Sequence, residues 1–218
     1  MPMPADRDLE FVRRHAALAP VPLAPELHAY QATELTPLWR ATAADLRGWD
    51  DSPFWAFLWP GGQALARYLL DHPDVVRGRT VVDFGAGSGV AGVGAARAGA
   101  ARVVAYDLDP FCEAAVALNA EANGVAIEFR AGSPLGDPAA DAELVLAGDV
   151  FYERDLADGF LRWARGLAAR GRRVLAGDPG RLYSPREGLS ELAAYDVPTL
   201  LEVEDRVCMR TRVLEVRS

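Results

Sequence analysis

The stretch Thr80-Val81-Val82-Asp83-Phe84-Gly85-Ala86-Gly87-Ser88-Gly89-Val90-Ala91-Gly92 decides the fold. A short β-branched apolar run ends on an acid, passes through a glycine cluster, and becomes a segment rich in valine and alanine. That order predicts a buried strand (80–84), a tight loop and a helix over 90–99. Gly85 and Gly87 permit positive φ and let the backbone come close to a ligand. The helix N-terminus beyond them offers free N–H groups to the same ligand. Asp83, at the strand end, can accept from an ammonium group directly or through the loop.

Outward from this point, strands and helices alternate. A helix through QALARYLLDH (63–72) precedes the strand. ARVVAYD (101–107) is the next strand, and Asp109-Pro110 supplies an N-cap and first-turn pair for a helix to about Ala122. AIEFR (126–130) reads as a short strand. AELVLAG (142–148) reads as a strand buried on both faces, because its apolar run hardly breaks. A helix over 154–169 and a strand RRVLAG (172–177) follow. A further helix is expected near 186–194, then two β-like runs, PTLLEVE (198–204) and RVCMRTRVLEVR (206–217), paired antiparallel across a tight turn.

The alternation predicts an α/β, Rossmann-like, doubly wound sheet of seven strands, mostly parallel, ending in an antiparallel C-terminal hairpin. Such a hairpin is characteristic of the class I methyltransferase fold; dinucleotide-binding domains usually finish on a parallel strand. Before Gly61 the chain is proline-rich and broken. Prolines 20, 22 and 25 argue for an extended stretch that wraps the domain, and a helix is expected around 34–46. The expected division is an N-terminal arm with helices (1–50), closing over the ligand cleft, and a catalytic domain (51–218).

With 218 residues, half of them hydrophobic and a quarter charged, the chain can bury one large core. No apolar run approaches a membrane span, and the first 15 residues lack the apolar centre of a secretory signal; a cytoplasmic location is the expectation. The net charge of −8 disfavours a phosphate backbone as partner and suits a basic one. There is no lysine; apart from three histidines, every basic residue is arginine. Cys112 and Cys208 make no disulfide framework and are expected to be buried thiols, with a small share for a reactive Cys112 at a helix start. The three histidines are scattered without ligand spacing, so no metal site is expected.

Several motifs carry chemistry. Asp107 ends the second strand, twenty residues after Gly87, where a carboxylate can accept both hydroxyls of a ribose. Gly87 to Gly92 also fits G-x-G-x-x-G, so the glycine loop alone does not separate NAD from S-adenosylmethionine. Context separates them: a preamble stands before the first strand, and Gly148-Asp149-Val150-Phe151-Tyr152-Glu153 follows the fourth. In a methyltransferase strand order the sheet reverses between those two strands, which puts Asp149 at the cleft. A carboxylate there can hold an amine through its protons, and Phe151 and Tyr152 can line an alkyl stem and favour a developing cation. The competing account makes Asp149 a helix cap and the aromatics core. The sequence Val174-Leu175-Ala176-Gly177-Asp178 repeats the Leu-Ala-Gly-Asp ending one strand later, followed by Pro179-Gly180-Arg181. Pro53 to Gly62, with two Trp and two Phe before a Gly-Gly helix start, is either a plug under the sheet or, through Trp59 and Gly61, a cofactor wall.

Together PFWAFLWPGGQALARYLL, VVDFGAGSGVAG, AYDLDP, GDVFYERDLAD and LAGDPGR closely resemble the electron transfer flavoprotein β-subunit lysine methyltransferases, over about residues 20–215. The resemblance implies S-adenosylmethionine as cofactor, with Trp59, Gly61, Asp83, Gly85, Ala86, Gly87, Gly89, Asp107, Leu108, Ser133 and Gly148 around it. It also implies Asp149, Phe151 and Tyr152 as the lysine channel. Near Ser133, where many relatives place an aromatic, this chain has none. The implied substrate is a lysine-bearing basic segment of the flavoprotein β subunit. A ribosomal protein, a small molecule, or a cleft that binds without catalysis are the other readings; the last would predict damage at Asp83, Asp107 or Asp149, and all three stand.

Overall fold

The structure is a computed structural model that describes residues 4–32, 38, 53–135 and 142–218. The expected helix over 34–46 falls, but for Leu38, outside them. The element order is α1 (Asp6–His15), β1 (Ala17–Val21), β2 (Ala24–Gln31), α2 (Pro60–Asp71), β3 (Thr80–Phe84), α3 (Val90–Arg97), β4 (Arg102–Asp107), α4 (Pro110–Ala122), β5 (Glu128–Ala131), β6 (Leu144–Gly148), α5 (Arg154–Ala168), β7 (Arg173–Asp178), β8 (Leu189–Pro198), α6 (Leu201–Glu204) and β9 (Cys208–Val216).

The main sheet has seven strands in the order β5-β4-β3-β6-β7-β9-β8. Its first five are parallel, and β9 runs antiparallel to both β7 and β8. The inner strands are apolar throughout because both faces are covered. Leu144 and Leu146 of β6 pack with Leu65 and Leu69 of α2 on one face. Val145 and Ala147 face the other way, toward Phe160 and Ala164 of α5. This two-sided burial makes the central strands legible as short apolar runs between turn signals.

The C-terminal hairpin is present, with its parts reassigned. Residues 189–198, expected to be largely helical, form β8, and 201–204, expected as strand, form the single helical turn α6. Leu-Ser-Glu-Leu-Ala-Ala has good helix formers, but pairing with β9 from Leu189↔Val216 to Pro198↔Cys208 overrides that local preference. The connection is correspondingly wider than a tight turn: Thr199 N–H donates to the Val207 carbonyl at 3.0 Å, and α6 ends on Asp205 in left-handed geometry.

The proline-rich arm is also paired. β1 and β2 form an antiparallel hairpin whose Val21, Leu27 and Ala29 pack on Ala66, Val90 and Val93 of α2 and α3. The Tyr30 N–H donates to Asn119 Oδ1 at 2.7 Å, and Asn119 Nδ2 donates to the Ser88 carbonyl at 2.8 Å. The hairpin thus braces the glycine loop from behind and does not close over it. Cys112 is buried as expected, whereas Cys208 is exposed at the start of β9. Burial and the nearby Asp107 and Asp109 push the Cys112 thiol up, against a reactive thiolate.

The N-terminus of α2 lies directly on the ends of β6 and β7. A Cβ on Gly177 would overlap the Gly61 carbonyl, and one on Gly148 would stand 2.8 Å from the Gly62 nitrogen. Gly177→Ala is therefore expected to cost about 3 kcal/mol, the high end of overpacking, measured by urea denaturation. Gly159→Ala in α5, where the new methyl meets Leu135 at an ordinary 3.6 Å, should be neutral or stabilising by up to about 1 kcal/mol.

Candidate active site at the sheet's reversal point

Strand order reverses between β3 and β6, and the diverging chain ends leave a crevice outside their carboxyl ends. A cavity of about 290 Å³ fills it. Trp59, Asp83, Gly85, Ala86, Gly87, Asp107, Leu108, Ser133, Gly148, Asp149 and Tyr152, all expected from the sequence, line this cavity. None of the described residues before Phe54 does.

Three expected residues stand elsewhere. Phe151 is fully buried, edge-on to Phe160 with centroids 5.9 Å apart, so it belongs to the core under α5 and not to a channel. Gly61 is the contact between α2 and the sheet. Gly89 caps α3 at φ 75°, where a Cβ would run into Val116. Both glycines shape the cleft without lining it. Conversely, Phe54, Tyr106 and Arg181 line the cavity without having been singled out for it. For Phe54 the signal was present in the aromatic run 54–59; for Arg181 it was present in the segment LAGDPGR, where a solvated arginine in a turn was the competing account.

On the β3–β4 side, three backbone turns aim N–H groups at two acids. Asp107 Oδ2 accepts from Gly87 N–H at 2.8 Å, and its Oδ1 accepts from Asp109 N–H at 3.0 Å. A carboxylate has about four acceptor positions, so roughly two remain for hydroxyls. Asp83 is buried at the strand end, with Oδ2 accepting from Gly92 N–H at 2.8 Å. Burial pushes its carboxyl up to about 7, with the Gly92 N–H opposing and Asp107 adding to the rise. A cation arriving here would restore the ionised form.

On the β6–β7 side, Asp149 is one of two non-glycine residues with positive φ among the described residues. That turn lets its N–H donate to the Gly177 carbonyl at 2.9 Å while Oδ2 accepts from Gly61 N–H at 2.6 Å. Helix α5 is preceded by Glu153, with no side-chain cap, so Asp149 is not its cap. Arg181 donates to Asp149 Oδ1 from Nε at 3.0 Å and from Nη2 at 2.7 Å. Burial pushes the Asp149 carboxyl up to about 6, with Arg181 and the Gly61 N–H pulling the other way. Aromatic rings border this end: Phe54 lies 5.5 Å from Trp59 and 5.7 Å from the half-exposed Tyr152.

Comparison with known proteins places this arrangement. The chain is 41% identical over 182 residues to the electron transfer flavoprotein beta subunit lysine methyltransferase of Rattus norvegicus, covering 81% of this chain and 71% of that protein. A homologue of that enzyme in Caenorhabditis elegans is 34% identical over 236 residues, covering 95% of each. The chain belongs to the electron transfer flavoprotein beta subunit lysine methyltransferase family. The family model for ribosomal protein L11 methyltransferase matches residues 63–148. Among solved structures, a 16S rRNA N2 G1207 methyltransferase of T. Thermophilus in complex with AdoMet and guanosine superposes with TM-score 0.56 at 18% identity, over 93% of this chain and 50% of that one. That likeness shows the fold.

The protein is thus an S-adenosylmethionine-dependent methyltransferase, and the residues present fit that cofactor. Gly85 and Gly87 keep the wall at backbone height, with positive φ and no atom within 3.5 Å of either would-be Cβ. The buried acid at Asp83, held by one backbone N–H, suits an α-ammonium group, and the open positions on Asp107 suit ribose hydroxyls. Asp107→Ala removes the acceptor and also frees the Gly87 and Asp109 N–H groups. We expect cofactor binding to weaken by about 30-fold, on the order of 2 kcal/mol, by isothermal calorimetry; an unchanged affinity would remove Asp107 from the cofactor site.

Proposed function

We propose that the protein methylates lysine on the electron transfer flavoprotein β subunit, with Asp149 receiving the lysine nitrogen. The carrying observation is the state of the Asp149 carboxylate. Three of its roughly four acceptor positions are taken by Gly61 and Arg181, and the group lines the cleft. One position on Oδ2 is left for an N–H.

The bound cofactor supplies an electrophilic methyl group on its sulfonium sulfur. Direct displacement requires a neutral amine held in line with that methyl and shielded from water. Asp83 and Asp107 hold the amino-acid and ribose parts at the glycine loop. Asp149 accepts one N–H of the amine and so fixes where its lone pair points. Phe54 and Tyr152 flank the alkyl stem and favour the positive charge that builds on nitrogen, with Trp59 beside Phe54 on the cofactor side. The ammonium form must lose a proton to solvent before it reacts. The chain's net charge of −8 favours encounter with a basic, lysine-bearing segment.

The flavoprotein substrate is supported by the relatives named for it. The ribosomal L11 likeness begins after Gly62 and ends at Gly148. It takes in the glycine loop and Asp107 and stops short of Asp149 and Tyr152. That distribution supports a shared cofactor half with a different substrate end.

Incubation with S-adenosylmethionine and recombinant electron transfer flavoprotein, followed by intact-mass analysis, should show methyl additions on the β subunit. Asp149→Asn should lower the rate at least about 100-fold while the cofactor dissociation constant stays within a few-fold. Full activity in that variant would overturn the role given to Asp149. Cofactor binding without any transfer to the flavoprotein would move the search to ribosomal proteins and small molecules.

A further inference from the structure

Asp149 and Arg181 line one end of the cleft, and a third charged group, Glu204, stands behind Arg181. Arg181 follows β7 in a turn in which its N–H donates to Asp178 Oδ1 at 2.9 Å. Besides its two bonds to Asp149, its guanidinium donates Nη1 and Nη2 to Glu204 Oε2 and Oε1 at 2.8 and 2.5 Å. Glu204 comes from α6, the helical turn between β8 and β9. The Trp59 ring stands 5.6 Å from the guanidinium carbon. The side chains of Arg181, Asp149 and Glu204 are 17%, 9% and 7% exposed, so the bridge is screened far less than a surface pair.

Two physical consequences follow. Two carboxylates share one guanidinium, leaving the cluster one unit negative and matched to one incoming cation. Second, the charge state of Asp149 depends on its neighbours. The groups facing its carboxyl are Arg181, the Gly61 N–H and, beyond Arg181, Glu204, and burial works against ionisation. A protonated Asp149 would give up its acceptor role on the proton-bearing oxygen.

We propose that Arg181 is a positioning residue of the methyl-transfer site: tethered by Glu204, it keeps Asp149 ionised and fixed in direction, so that the open acceptor position on Oδ2 meets the lysine nitrogen. The proposal rests on the lysine reading above. Arg181 itself is not required to touch substrate; it acts through Asp149.

The test is a pH profile of single-turnover methyl transfer to the flavoprotein, run beside a carbon-13 carboxyl NMR titration of Asp149 in the protein without substrate. Arg181→Met should raise the Asp149 midpoint by about one pH unit or more in both measurements. One unit is about a tenfold change in the ratio of ionised to protonated acid. From a midpoint of about 6, the rate at pH 6 should therefore fall at least about fivefold, and it should recover to within a few-fold of wild type at pH 9. Glu204→Gln, nearly isosteric, removes a like charge and should move the midpoint down; it carries the test if Arg181→Met does not fold. Arg181→Lys should restore part of the shift. A midpoint unmoved in both variants, with rates lowered equally at every pH, would reduce Arg181 to a structural bridge and overturn the proposal. Failure of the lysine reading shows separately: the wild-type chain would transfer no methyl to the flavoprotein, and the lysine clause would fall with it even if the NMR midpoints moved as expected.

Discussion

The cleft depends on a contact between backbones. The first turn of α2 rests on the carboxyl ends of β6 and β7 so closely that neither Gly61 nor Gly177 has room for a Cβ, and Gly148 is nearly as tight against Gly62. Gly148 and Gly177 are register partners on adjacent strands. The Leu-Ala-Gly-Asp ending that occurs at both strand ends is thus a geometric pair, two glycines side by side under one helix end. The same contact brings the Gly61 N–H, a donor that no helical carbonyl can satisfy, within 2.6 Å of Asp149. Packing and chemistry are inseparable at this point: what seats the helix also orients the carboxylate.

The cleft's acids follow one rule. Asp83, Asp107 and Asp149 each stand within one residue of a strand's carboxyl end, and each accepts from the backbone of a neighbouring turn or helix start. Backbone donors carry no net charge, so they orient a carboxylate without neutralising it, and capacity is left over for a cationic or hydroxyl-bearing ligand. Asp149 differs in also having a guanidinium. Truncating one partner of a buried pair leaves an uncompensated charge, at a typical cost of about 3–5 kcal/mol. The arrangement therefore commits Arg181 and Glu204 to each other as firmly as to Asp149.

Much of this was legible in the sequence, for identifiable reasons. β3, β4, β6 and β7 are bounded by turn residues and buried on both faces, so apolar run length located them to within about two residues. Eleven of the fourteen residues expected at the site line the cavity. The misses have separate causes. Phe151 and Tyr152 are adjacent in a turn, and nothing local says which ring goes to the core. The arm's prolines signalled extended backbone but not its pairing into a hairpin. Leu189 to Ala194 favours helix locally and becomes strand because β9 offers an edge. That last miss hid Glu204: read as part of a strand, it had no path to Arg181, and for Arg181 itself a solvated turn competed with a place at the site.

The hairpin β8–β9 therefore does more than close the sheet. In a parallel α/β sheet the crevice is built by the loops at the carboxyl ends of the central strands, and here one lining residue, Arg181, is held from beyond them by a helical turn inserted between the last two strands. The cofactor side is made from consecutive units, β3 through β5, in a segment similar to ribosomal L11 methyltransferases. The other side is lined by parts distant in sequence, Trp59 before α2, Asp149 after β6 and Arg181 after β7, with Glu204 from between β8 and β9 behind Arg181. The two sides are joined along the β3–β6 ladder and again where α2 sits on the glycines of β6 and β7, so the loops of one side can change while the strands that carry the other stay fixed.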